Sequence, residues 1–419
     1  MNKDLRRPQV VIVGAGFGGL EAVNALAKSP VDVTVIDRHN HHCFQPLLYQ
    51  VATAALAAPD IAWPIRSILR GQQNARVIMA DVTGIDIDER RVHAGPLEIP
   101  YDYLVLASGA THSYFGHDEW APFAPGLKSV DDALEVRRRI LLAFERAELT
   151  EDDVERRRLL TFAIVGGGPT GVEMAGAIAE VAQDTLKSDF RRIDPRTAHI
   201  VLIEAGPRIL PAFPERLSRY AERSLTRMGV EVRTSATVTE CRKDGVSLKD
   251  GRIDADTIIW AAGVTASPAA RWIGAETDQA GRIKVMPDLS VPGHREIFAI
   301  GDTAVLADPK ARPLPGIAPA AKQMGRYAGR LIAARIADAE PVAPFAYRHH
   351  LDLATVGRKS AVVRRGRLQL TGFIGWLFWG VAHIYFLIGV RNRFVVAINW
   401  LWNYLTFQRG ARVITERIS

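Results

Sequence analysis

Residues Ile12 to Ala27 read IVGAGFGGLEAVNALA, and Ile164 to Ala179 read IVGGGPTGVEMAGAIA; the two stretches are identical at half of their aligned positions. Each opens in a β-branched run, passes through a G-x-G-x-x-G loop and continues in a pattern of small and apolar residues that suits a helix. In such a loop the first glycine permits the tight turn. The second lets backbone approach a pyrophosphate, and the third packs helix on strand. A further pair lies downstream, YDYLVLASGA at Tyr101 to Ala110 and ADTIIWAAGV at Ala255 to Val264. A chain that contains strand, glycine loop and helix twice is an α/β chain with two dinucleotide-binding units.

The pattern predicts strands over Gln9–Val13 and Asp32–Asp37 around the first loop, with its helix running to about Ala27. It predicts strands over Thr161–Val165 and His199–Glu204 around the second, with a longer helix to about Leu186. Both second strands end in an acid, Asp37 and Glu204, placed to accept hydrogen bonds from a ribose. The helix N-termini offer free N–H groups and a partial positive charge to phosphates. Glu204 suits both ribose hydroxyls of NADH and would repel the 2′-phosphate of NADPH; Arg208 is placed to soften that preference. Glu173, in the first turn after the second loop, has two readings. It is a carboxylate stabilised by the helix dipole, or a group beside the nicotinamide ribose or on a proton route. Ile297 to Ala304 (IFAIGDTA) presents Asp302 at a strand C-terminus, where open α/β sheets bind ligands.

Composition narrows the classes. Mean hydropathy is +0.01, which excludes a multi-span transporter. Two cysteines, Cys43 and Cys241, exclude a disulfide scaffold, a thiolate zinc site and an iron–sulfur cluster. The net charge of +7 is uneven: Leu353 to Thr415 carries nine Lys or Arg and no Asp or Glu, so the rest of the chain is slightly acidic. A basic aromatic tail on such a body points to an anionic membrane surface and not to nucleic acid. The charged runs Val136–Arg139 and Thr150–Arg158 are solvated helix faces. Pro309–Pro319 reads as a loop and Pro341–Pro344 as a linker. No signal or transit pattern is evident in the first residues, and the body is expected on the cytoplasmic side.

Thr371 to Val390 is uncharged, contains Trp376 and Trp379, and is flanked by Arg364, Arg365 and Arg367 on one side and Arg391 and Arg393 on the other. Phe394 to Phe407 follows, with Trp400 and Trp402. A buried core helix, a membrane span of about 20 residues and an interfacial anchor compete. Trp and Arg at the flanks favour the anchor. His383 within it reads as a satisfied polar group.

The two fingerprints and the Gly-Asp motif resemble those of the two-dinucleotide-fold flavoprotein reductases. His42 to Ala52 (HCFQPLLYQVA), Asp60 to Arg66 (DIAWPIR) and the C-terminal stretch are similar to the type II NADH dehydrogenases, the single-subunit, non-pumping NADH:quinone oxidoreductases. The resemblance covers essentially the whole chain. It implies two Rossmann-like domains, a discontinuous FAD domain over 1–115 and 281–345 and an inserted NADH domain over 116–280, with a C-terminal amphipathic helical membrane-anchoring region over 346–419.

For FAD the resemblance implies Gly14, Gly16, Phe17, Gly18, Gly19, Asp37, Arg38, Gln45, Pro46, Val82, Ala107, Ser108, Gly109, Asp302 and Ala318. For NADH it implies Gly166, Gly168, Pro169, Thr170, Gly171, Glu204, Ala262 and Gly263. Ala318 to Gly325 (APAAKQMG) matches the segment beside the flavin and the quinone entrance, and Gln323 the residue facing the quinone. Glu173, Lys322 and Gln323 are the candidates for positioning or proton delivery. Ser108 stands where the family more often has Thr, and Pro319 where many members have Gln.

The expected reaction is hydride transfer from NADH to FAD, then two-electron reduction of a membrane quinone, ubiquinone or menaquinone, without proton pumping. The expected partners are NADH, quinone, a membrane surface and a second copy in a homodimer, at the cytoplasmic face of the inner membrane. No redox cysteine pair is present, which excludes disulfide reductases and sulfide:quinone oxidoreductases of this fold. His39, His41, His42 and Cys43 lack a second ligand cluster; no metal is expected, and they read as a turn holding Phe44–Pro46 against the flavin. Two alternatives stay open: a soluble NADH-dependent reductase of a small redox protein, and a flavin-bound NADH sensor without turnover.

Overall fold

The β-branched runs that end in glycine or an acid become central strands because they are buried on both faces. The computed structural model describes residues 6–306, 314–339, 342–349, 351–406 and 409–414. Three of the four expected strands have the expected bounds, Gln9–Val13, Asp32–Asp37 and Thr161–Val165; the fourth, His199–Ile203, stops one residue early. The first loop's helix is Phe17–Ala25. The second, Pro169–Glu180, continues through a π-helical turn over Val181–Thr185, which accounts for the longer run read from the sequence. The loop read over Pro309–Pro319 and the linker over Pro341–Pro344 lie partly outside the described residues.

The chain forms two compact units. One comprises Met1–His42, Trp63–Thr111 and Val264–His349. Its six-stranded sheet has the order Ser290–Val291, His294–Ala299, Tyr103–Leu106, Gln9–Val13, Asp32–Asp37, Ala75–Met79, parallel except for its first, edge strand. The helix Phe17–Ala25 packs on the helix Ala318–Ile336 at very short range. A Cβ at Gly325 would stand 2.0 Å from the Gly18 carbonyl oxygen, so only glycine allows this approach.

The other unit comprises Cys43–Ala62, His112–Gly263 and His350–Ser419. Its all-parallel sheet has the order Val230–Arg233, His199–Ile203, Thr161–Val165, Thr257–Trp260. The helix Val130–Leu149 starts in a capping box: the Ser129 hydroxyl accepts from Asp132 N at 3.1 Å, and the Asp132 carboxylate accepts from Ser129 N at 2.8 Å. Its Phe144 stacks on Phe162 of the sheet at 5.4 Å.

In the same unit the antiparallel strands Asp352–Thr355, Ala361–Arg365 and Leu368–Thr371 lead into two helices, Gly372–Phe386 and Val390–Thr406. The apolar run over Thr371–Val390 is therefore not one helix. It breaks after Phe386, where Leu387 turns extended and Gly389 takes φ +85°. Among the described residues no helix is long and apolar enough to cross a membrane.

Candidate active site

Each glycine loop is built by the same hydrogen bonds. Gly14 N donates to Ile36 O at 2.7 Å, and Gly166 N to Ile203 O at 2.7 Å. Ala107 N donates to Val13 O at 2.8 Å, and Ala261 N to Val165 O at 2.7 Å. Gly14 and Gly166 sit at φ +101° and +112°, a region closed to most side chains. The third glycines are set by contact instead: a Cβ at Gly19 would lie 1.9 Å from Gly14 O, and one at Gly171 1.8 Å from Gly166 O. The middle glycines differ in kind. A Cβ at Gly16 or Gly168 would meet nothing within 4 Å, and no side chain caps the helix that follows either one. Open space in front of uncapped helix amides is what a pyrophosphate requires.

The strand-end acids complete both cradles alike. Asp37 Oδ2 accepts from Ala15 N at 2.7 Å, and its Oδ1 from His39 N at 2.8 Å. Glu204 Oε2 accepts from Gly167 N at 2.6 Å, and its Oε1 from Gly206 N at 2.7 Å. Backbone amides hold each carboxylate at the loop, and each oxygen keeps acceptor capacity for a ribose hydroxyl. Arg208 is tied to loop carbonyls, donating to Phe213 O and Pro211 O at 2.8 Å each.

The remaining FAD candidates of the first unit lie on several elements. Gly109 N donates to the Thr303 hydroxyl at 2.9 Å, which joins the Ala107–Gly109 turn to the Gly301–Thr303 turn that carries Asp302. The Ser108 and Ser267 hydroxyls share a hydrogen bond of 2.6 Å. Asp302 lines an open cavity of about 520 Å³ with Gly301, Gly316 and Ala320. Ala318 starts the helix Ala318–Ile336, and Val82 starts a strand of an antiparallel sheet. Arg38 is exposed. His42 is buried beside the loop, with Nδ1 3.0 Å from Ala15 O and its ring edge-on to Phe17 at 4.9 Å; burial pulls its pKa down to about 4. Lys322 Nζ lies 5.5 Å from the Phe17 ring centre. Gln323 has both ends of its amide on one residue, accepting from Arg348 N at 3.0 Å and donating to Arg348 O at 2.9 Å.

Gln45 and Pro46 belong to the second unit, in a short 3₁₀ turn where Gln45 Nε2 donates to Lys128 O at 3.1 Å. So do Pro169 and Thr170 at the helix start, Ala262 and Gly263 after the strand Thr257–Trp260, and Glu173. Among the described residues no three His, Cys, Asp or Glu groups converge as a metal site. Burial pushes the thiols of Cys43 and Cys241 up to about 12, which leaves both unreactive.

Glu173 borders an open cavity within the second unit. Burial drives its carboxyl up to about 8, against the opposing pull of Thr355 N, which donates to it at 3.3 Å. The same walls contain Tyr49, Gln50, Trp379, Trp400, Glu180 and Arg409, none of which sequence reasoning assigned. Tyr49 and Gln50 lie inside the motif that carried the family resemblance, yet no spacing rule marks them as polar groups on an apolar helix. Arg409 meets Glu180 across 229 residues of chain, and no local pattern announces it.

The comparisons agree with this geometry. The pyridine nucleotide-disulphide oxidoreductase family profile matches residues 8–325. The type II NADH:quinone oxidoreductase Ndh of Mycobacterium tuberculosis is 44% identical, over 98% of this chain and 91% of that protein. NdhA of the same organism, also a type II NADH:quinone oxidoreductase, is 44% identical over 98% of this chain and 90% of its own length. The chain belongs to the type II NADH:quinone oxidoreductases. The fold agrees: the structure of NDH2 from Plasmodium falciparum in complex with NADH superposes with a TM-score of 0.88 at 20% identity, covering 98% of this chain and all of that one. As a member of that family the chain is a flavin-dependent oxidoreductase with FAD as its cofactor, and the open Gly16 cradle with its amide-held Asp37 fits that cofactor.

Proposed function

We propose that this chain oxidises NADH and reduces a membrane quinone, with the Gly14 cradle holding FAD and the Gly166 cradle holding NADH. The observation that carries the reading is the matched pair of cradles, each with an open middle glycine and an amide-held acid. Gly16, Gly18 and the amide at Phe17 face the FAD pyrophosphate; Asp37 takes its adenosine ribose. Asp302, with the Ala107–Gly109 turn behind it, borders the rest of the cofactor. Gly168, Pro169 and Thr170 meet the NADH pyrophosphate, Glu204 its ribose, and Ala262 and Gly263 the nicotinamide end. Bound flavin supplies the redox chemistry, accepting a hydride and passing two electrons on. The residues 1–115 with 281–345 serve FAD, 116–280 serve NADH, and 346–419 attach the protein to lipid.

The cavity at Glu173 receives the quinone head group. Its aromatic walls suit a flat ring, and a carboxyl that stays protonated to about pH 8 can hold a proton beside a reducible carbonyl. Lys322 places a positive charge near Phe17 in the flavin-binding unit. Gln323 orders the chain at Arg348, and a contact with quinone would require it to leave that partner.

Membrane attachment is supported by apolar side chains left in solvent on the helix Gly372–Phe386: Ile374 at 66%, Val381 at 70% and Tyr385 at 68% exposure. A patch of this kind, with Arg365 and Arg367 before it, suits an anionic surface at the cytoplasmic face of the inner membrane. Association as a homodimer completes the reading.

The test is NADH oxidation by the FAD-loaded full chain against naphthoquinone, benzoquinone, ferredoxin and cytochrome acceptors. Turnover with a quinone supports the reading. Turnover with the small redox proteins alone favours a soluble reductase, and flavin reduction without turnover favours a sensor. Flotation with anionic vesicles tests attachment: the parent floats, and the I374S/V381S/Y385S variant stays in the soluble fraction.

A further inference from the structure

The wall of the Glu173 cavity has a direction built into its hydrogen bonds. Trp400 Nε1 donates to Gln50 Oε1 at 2.7 Å. An indole nitrogen can only donate, so this bond orients the Gln50 amide, with its oxygen toward Trp400 and its NH₂ toward Tyr49. Gln50 Nε2 then donates to the Tyr49 hydroxyl oxygen at 2.9 Å. On that side Tyr49 is an acceptor, so its own proton must be donated elsewhere. Among the described residues the hydroxyl has no acceptor within hydrogen-bond reach. Tyr49 is only 6% exposed, and it lines the cavity. A buried hydroxyl proton without an acceptor is costly, and a ligand carbonyl would remove that cost.

We propose that Tyr49 donates its hydroxyl hydrogen bond to a carbonyl oxygen of the quinone, and that Gln50 and Trp400 are the positioning residues that aim it. The proposal rests on the reading of this cavity as the quinone site. Burial and the neighbouring Glu173 carboxyl hold the phenol well above its usual range, so Tyr49 stays a donor throughout and transfers no proton. A second spare donor is close by: the Trp379 indole N–H is buried without a partner among the described residues, and its ring lies 5.0 Å from that of Trp400. A wall offering donors and flat aromatic faces matches a head group whose polar atoms are all acceptors. A donated hydrogen bond draws charge off the carbonyl and strengthens as electrons arrive, which is the condition for lowering the barrier. Because Trp400 lies on the helix Val390–Thr406, the seat of that helix sets the aim of the hydroxyl.

The test is infrared difference spectroscopy on the FAD-loaded full-length enzyme with a tailless naphthoquinone labelled with ¹³C at both carbonyls, together with steady-state rates. The parent should show one carbonyl band moved to lower frequency. Tyr49→Phe should abolish that shift and reduce kcat/KM for quinone about tenfold, the scale of one hydrogen bond. Trp400→Phe keeps the aromatic wall but frees the amide; it should broaden the band and lower kcat/KM by a smaller factor. Ala177→Phe, which fills the cavity from the helix Pro169–Glu180, should remove the bound-quinone bands altogether; Ala55→Leu serves if that variant does not retain FAD. A Tyr49→Phe spectrum superimposable on the parent's, with bands lost in the filled variant, overturns the role of Tyr49 alone. Unaltered bands in the filled variant overturn the cavity assignment itself.

Discussion

Glu180 and Arg409 form a buried ion pair, 2.9 Å between Oε2 and Nη2, that ties the C-terminal segment to the helix of the second glycine loop. Arg409 also donates to Thr53 O at 2.8 Å, and Glu180 accepts from Arg358 N. Burial raises the Glu180 carboxyl, and the Arg409 charge opposes it. Removing one partner of such a pair strands the other charge, at a cost of about 3–5 kcal/mol. Arg409→Met should lower the unfolding free energy of the holoenzyme, measured by urea titration, by that much. The double variant Glu180→Gln with Arg409→Met should recover most of the loss. A single variant as stable as the parent would show that the pair holds nothing.

Glu173 gives a pH dependence with a definite sign. Its folded-state pKa of about 8 lies above the unfolded 4.5, so the folded state binds this proton more tightly. That contribution is complete below 4.5 and disappears as pH rises through about 8. Glu173→Gln lacks the titration, so its melting temperature should gain on the parent's between pH 5 and 9, by thermal scans at one-unit steps. Quinone reduction by the parent should fall above pH 8, and the variant should lack that limb. Parallel melting curves across the range would contradict the burial of this carboxyl.

Glu204 is fixed by Gly167 N and Gly206 N, so its removal should leave the fold and weaken nucleotide binding. A hydrogen bond to a charged group is worth about 1.5–3 kcal/mol. Glu204→Ala should therefore raise the KM for NADH by about 10- to 100-fold. Because Arg208 is engaged with Phe213 and Pro211, Glu204→Gln should admit NADPH only weakly. An unchanged KM for NADH in the alanine variant counts against the ribose role.

The glycines separate folding from binding. Gly16→Ala adds a methyl to open space, so circular dichroism should match the parent while FAD content falls. Gly168→Ala should keep the flavin and raise the KM for NADH. Gly19→Ala and Gly171→Ala force a Cβ to 1.9 and 1.8 Å from a backbone oxygen and should not accumulate as folded protein. A folded, fully flavinated Gly16→Ala protein would contradict the cradle.

The frame of the molecule was legible because its information is local. Strand runs, glycine loops and terminal acids fix Val13 beside Ile36 and Val165 beside Ile203 through short-range pattern alone. The cavity was not legible, because Tyr49, Glu173, Thr355, and Trp400 with Arg409 reach it from four separated stretches of chain. Gln323 shows the limit of carrying roles by resemblance. The motif names the residue, yet only the structure reveals that Arg348 engages both ends of its amide. The single apolar run at Thr371–Val390 hid a break that Gly389 makes possible by adopting φ +85°.

The most direct test is anaerobic mixing of the purified full chain with NADH, followed by a quinone, while the flavin absorbance is recorded. A yellow protein that bleaches with one equivalent of NADH and regains its colour on adding quinone is the expected result. A colourless protein, or one that bleaches and does not recover with any quinone, would contradict the assignment of the two cradles and the cavity to one reaction.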